Sequence, residues 1–72
     1  MNNELKEKLK VSIAEKGFNK PHRFFLALVE EGYNGSFQTV LNWIEGKHEP
    51  RFVNMRLICK VLGKELNYFF NE

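Results

Sequence analysis

Two side-chain amides, Gln38 and Asn42, stand four residues apart, a spacing that sets them one above the other on a helix. A side-chain amide offers a donor and an acceptor side by side. That pattern pairs bidentately with N6 and N7 of adenine in the major groove, at about 1–3 kcal/mol of discrimination each. Thr39, between them, has a hydroxyl for a phosphate or a base. Ser36, just upstream, can cap a helix and also stand where a phosphate docks at a helix N-terminus. A second group, Lys20, His22 and Arg23, forms a basic cluster suited to a phosphate backbone, a contact that orients a protein without reading sequence. Each of these residues has a plainer reading as solvated surface.

The pattern lacks the chemistry of catalysis. The chain has no Asp, so the usual triad-orienting and Mg²⁺-holding residue is missing, although Glu remains. His22 and His48 form no His-x-x-x-His motif, and Cys59 is the one cysteine. A structural zinc site needs four ligands and a disulfide needs a second thiol. The expectation is a non-enzymatic protein with no metal, no cofactor and no small-molecule ligand.

The chain that carries these groups has 72 residues, 43% hydrophobic and 28% charged, with ten aromatics (seven Phe, two Tyr, one Trp) and a net charge of +2. That is one globular domain, 1–72, which must fill a core densely because a chain this short buries only roughly 60% of its surface. No run approaches a membrane span of about 18 apolar residues, and Met1-Asn2-Asn3-Glu4 carries no apolar leader. A cytoplasmic location is expected. The small net charge permits binding to nucleic acid without requiring it.

Five glycines (17, 32, 35, 46 and 63) and two prolines (21 and 50) divide the chain into five segments. Leu5, Leu9 and Ile13 mark a helix from about Glu4 to Lys16, with Asn3 as N-cap and Gly17 as left-handed C-cap. Asn19-Lys20-Pro21 opens a second helix, in which Phe24 to Val29 is an unbroken apolar run; a helix apolar on most faces would be the most buried element. A turn cluster, Gly32-Tyr33-Asn34-Gly35, precedes a third helix with Ser36 as N-cap. Its stripe is Phe37, Val40, Leu41 and Ile44, leaving Gln38, Thr39, Asn42 and Glu45 on the opposite face. The fourth runs from about Val53 to Leu62, with Phe52, Met55, Ile58, Cys59 and Leu62 inward and Gly63 as its stop. The fifth is short, Glu65 to about Phe70. No segment reads as a strand, so the fold class is all-α, a compact five-helix bundle.

Within that bundle, Ser36-Phe37-Gln38-Thr39-Val40-Leu41-Asn42-Trp43-Ile44-Glu45-Gly46-Lys47 resembles the recognition helix and following turn of the XRE helix-turn-helix proteins, the phage repressor and Cro type. Gly46-Lys47-His48-Glu49-Pro50-Arg51-Phe52 is similar to the stretch that leads into that family's fourth helix. Leu62-Gly63-Lys64-Glu65-Leu66-Asn67-Tyr68-Phe69-Phe70 is similar to its closing signature. The likeness covers roughly Ser36 to Phe70. Upstream, Ala27 with Arg23 can take the family's helix-two positions, or Asn34 can take the place of the family's turn Gly. In both registers the turn between helices two and three is lengthened.

The resemblance implies a lambda-repressor-like DNA-binding domain with a central helix-turn-helix, reading the major groove of double-stranded DNA with Ser36–Ile44. It implies base-facing positions at Phe37, Gln38 and Asn42; Phe37 has the alternative of joining the core, and its ring could also meet a thymine methyl. It places Lys47, His48 and Arg51 in a loop that touches the DNA backbone, and Trp43 in the core. The implied activity is transcriptional regulation, foremost repression of a phage or mobile-element type, by a homodimer on an inverted repeat. Leu66, Tyr68, Phe69 and Phe70 are the dimer candidates, with capping of the protein's own core as their other role. The rival functions are an antirepressor or antitoxin-like protein-interaction module on the same scaffold, and an architectural or recombination accessory factor.

Overall fold

The computed structural model describes residues 3–70 and shows five helices: α1 Asn3–Glu15, α2 Pro21–Glu30, α3 Phe37–Ile44, α4 Phe52–Leu62 and α5 Leu66–Phe70. The described residues contain no strand, so the expected all-α architecture is the one the chain adopts. The boundaries follow local chemistry. Pro21 sits in the first turn of α2 behind an extended Lys20, where its missing N–H costs nothing. Ser36 caps α3 by accepting the Thr39 N–H at 3.1 Å. Gly63 ends α4 at φ +69°, with its N–H on the Cys59 carbonyl, a left-handed geometry that glycine adopts without a Cβ penalty. α1 begins at Asn3, and the capping role expected of that side chain lies outside the described residues.

One hydrophobic cluster joins all five helices. Leu5, Leu9 and Ile13 from α1 meet Phe24 and Leu28 from α2, Val40 and Trp43 from α3, Met55, Ile58 and Leu62 from α4, and Phe69 from α5. The α1 stripe is the one expected. Helix α2 is not the most buried element: Phe24 and Leu28 are inside, but Leu26 and Val29 are each more than 40% exposed. Its apolar run exceeds what a peripheral helix packed on α3 and α4 can bury. In α3 the buried pair is Val40 and Trp43, whereas Phe37, Leu41 and Ile44 are half-buried. Phe52, expected inward, is 63% exposed. It occupies the first position of α4, beyond the edge of the core, while Pro50 just before it is buried.

Helix α5 docks on α1. Lys8 Nζ donates to the Tyr68 carbonyl at 2.9 Å, and Lys64 Nζ lies 4.6 Å from the centre of the Tyr68 ring while pairing with Glu15 at 3.2 Å. No helix among the described residues is long and apolar enough to cross a membrane.

Candidate nucleic-acid interface

Six residues, 31–36, separate α2 from α3. Tyr33 closes this turn from inside. Its side chain is 6% exposed, its ring stands edge-on to Trp43 with centroids 5.5 Å apart and to Phe25 at 6.3 Å, and its hydroxyl donates to the Ser36 carbonyl at 3.2 Å. Burial pushes the phenol above its ordinary pKa, against a smaller opposing effect of a hydrogen bond with Thr39. Gly35 passes directly over the ring, where a Cβ would collide with it. Tyr33 is thus the residue that positions the start of α3. Its place in the run Gly32-Tyr33-Asn34-Gly35 carries no periodic signal of this role.

The N-terminus of α3 is built from three connected pieces. The Ser36 and Thr39 hydroxyls are 2.9 Å apart, so both hydroxyls engage each other in addition to the cap. Phe37 packs sideways on α2, its ring 5.3 Å from Phe25 and 5.5 Å from His22, edge to face. The first turns of α2 and α3 therefore meet through aromatic contacts. Phe37 is neither core nor fully presented to solvent. Gln38 is exposed and Asn42 half-exposed, and Gln38 Nε2 donates to Asn42 Oδ1 at 3.1 Å.

The chain after α3 folds back on its last turn. The Asn42 carbonyl accepts from the Lys47 N–H at 2.9 Å and the His48 N–H at 3.4 Å, which brings these two exposed residues beside the polar face. Lys47 spends its charge locally, in an ion pair with Glu45 at 3.2 Å. Arg51, exposed at the start of α4, has no carboxylate partner among the described residues. The other basic group divides. His22 turns to Phe37, whereas Arg23 lines a groove of about 440 Å³ with Lys16, Leu26 and Glu30. Lys20 borders a smaller hollow with Pro21 and Ile44. Lys20, His22 and Arg23, grouped by the sequence as one basic cluster at the start of α2, thus border different surfaces of the chain.

The four terminal residues, given a dimer or a core-capping role by the sequence, divide between core and surface. Phe69 is 2% exposed and belongs to the core, and Leu66 and Tyr68 pack against it, so their rings and methyls are used within the chain. Phe70 alone of the four is well exposed, at 47%. Cys59 is half-buried and burial raises its thiol pKa, consistent with an inert packing role. The described residues contain no group of three or more His, Cys, Asp or Glu arranged to hold a metal ion. Comparison of the chain with protein-family profiles, with curated proteins and with solved structures finds no match.

Proposed function

We propose that this chain is a sequence-specific double-stranded DNA-binding regulator of transcription, with no enzymatic activity, that inserts α3 into the major groove. The observation that carries the reading is the two-sidedness of α3. Val40 and Trp43 anchor one side in the core, while Gln38, Thr39 and Asn42 share the outer side with the capped N-terminus and with the loop that brings Lys47 and His48 alongside. Helix, polar face and flanking basic side chains are the parts that groove reading needs. Repression by a homodimer of phage or mobile-element type is the most specific form of the proposal, resting on the resemblance at Ser36 to Phe70. Through it, Ser36, Lys47, His48 and Arg51 are backbone contacts.

Charge substitution tests it. Binding of a duplex, followed by fluorescence anisotropy across a salt series, should weaken on Arg51→Ala for every sequence alike, with the salt slope lowered by about one. Unchanged binding by Arg51→Glu would remove α3 and its following loop from the interface. A second reading, a protein-interaction module on the same scaffold, is favoured by the exposed Phe52 and Val53, at 63% and 64%, and by the internal neutralisation of Lys47.

A further inference from the structure

The hydrogen bond between Gln38 and Asn42 makes the two amides unequal. Gln38 Nε2 is the donor and Asn42 Oδ1 the acceptor, at 3.1 Å on an exposed face. A primary amide has two N–H donors and one oxygen with two lone pairs. After the bond forms, Gln38 keeps its Oε1 acceptor and one N–H. Asn42 keeps both N–H donors and a single free lone pair, on an oxygen turned toward Gln38. The residue types alone assign the same partner, adenine, to both positions; the bond distinguishes them.

We infer that Gln38 and Asn42 act as one coupled reading unit, in which Gln38 selects adenine and Asn42 selects a neighbouring base that presents only acceptors. Adenine offers N6–H as donor and N7 as acceptor, the complement of what Gln38 retains. Guanine O6 and N7, or thymine O4, offer acceptors without a donor, the complement of what Asn42 retains. Water competes for this bond while the face is free, and its exclusion on entering a groove strengthens the bond. The fixed pair also restricts two flexible side chains together, so that losing one member loosens the other. This inference rests on the DNA-binding reading of α3.

The test compares base preferences selected from random duplexes by the wild-type chain and by Asn42→Ala and Gln38→Ala, positions where both side chains lie outside the core and the fold is retained. The wild type should enrich adenine next to a guanine or thymine on the same strand. Asn42→Ala should relax preference at both positions, because Gln38 loses the partner that orients it, with the adenine preference falling by roughly fivefold or more. Asn42→Asp, which replaces donors by acceptors, should exchange the guanine or thymine for cytosine, whose N4 donates. Guanine and thymine are separated by replacing guanine with 7-deazaguanine, which lowers affinity only if N7 is read. Relaxation at a single position on Asn42→Ala, or adenine opposite Asn42 and an acceptor-only base opposite Gln38, overturns the coupled assignment while leaving DNA reading by α3 intact. Absence of any enriched sequence overturns the inference together with the reading on which it rests.

Discussion

Gly35→Ala tests the way the α2–α3 turn is held. Gly35 is not in the left-handed region, so by backbone entropy alone an alanine there should stabilise the chain by about 0.4–1 kcal/mol. The structure predicts the opposite sign. A Cβ at Gly35 would lie 2.9 Å from Tyr33 Cε1 and nearer still to Cζ and the hydroxyl oxygen, where carbon atoms ordinarily approach no closer than about 3.5 Å. The ring cannot withdraw freely, because Trp43 and Phe25 flank it and its hydroxyl is bonded to the Ser36 carbonyl. Overpacking of this kind costs about 1–3 kcal/mol, and losing the hydrogen bond adds about 0.5–1.5. Offset by the entropy gain, the net loss is about 2 kcal/mol. A chain of this size has a total stability of only roughly 4–10 kcal/mol, so the melting temperature should fall by roughly 8–16 °C. Urea unfolding followed by circular dichroism measures the change. The decisive comparison uses Tyr33→Leu, which removes the ring. On that background Gly35→Ala should be neutral or stabilising, giving a coupling of about 2–3 kcal/mol. An equal cost in both backgrounds, or a more stable single variant, would refute the collision argument.

Other perturbations probe separate parts of the fold. Ser12 is 1% exposed and its hydroxyl has no hydrogen-bond partner among the described residues. Ser12→Ala should therefore raise stability by about 1 kcal/mol or more, through relief of desolvation and better helix propensity; a fall in the urea midpoint would mean that the hydroxyl is satisfied. Gly63→Ala should cost about 1–2 kcal/mol, since an L side chain is strained at the left-handed geometry found there, and a silent substitution would contradict that geometry. Burial raises both the Cys59 thiol and the Tyr33 phenol. Each acid then loses its proton more readily in the unfolded chain, so stability should hold below about pH 8.5 and decline as pH rises past that value. Urea midpoints at pH 7.5 and 9.5 check the sign, and Cys59 should react with iodoacetamide more slowly folded than unfolded.

Element types and the α1 stripe were legible because helical periodicity and chain punctuation agree there: Leu5, Leu9 and Ile13 recur every four residues and stop at Gly17. The N-cap at Ser36 and the helix stop at Gly63 are legible for the same local reason. What periodicity does not carry is which of two overlapping stripes faces inward. In α3, Phe37, Val40, Leu41 and Ile44 satisfy the spacing as well as Val40 and Trp43 do. Tyr33, in the turn just before α3, settles it by packing on the Trp43 ring. Phe52 fits the α4 stripe by spacing, yet it lies at the helix end where no core remains to cover it. Phe24 to Val29 looked buried on every face because a run of apolar residues contains no information about how many neighbours a helix will have. At the candidate interface, the polar face was legible from residue type. The aromatic contact of His22 with Phe37 and the place of Arg23 in the groove between α2 and the loop before it depend on tertiary placement, and no local pattern encodes them.

Selection from random duplexes by the wild-type chain, with affinity for the enriched pool measured at low and at physiological salt, tests the central claim most directly. The account predicts an enriched inverted repeat with half-sites about one helical turn apart, bound more tightly than random duplex at both salt concentrations. Binding with no enriched sequence, lost by about 0.2 M salt, would reduce the interaction to phosphate attraction and contradict reading of DNA by α3.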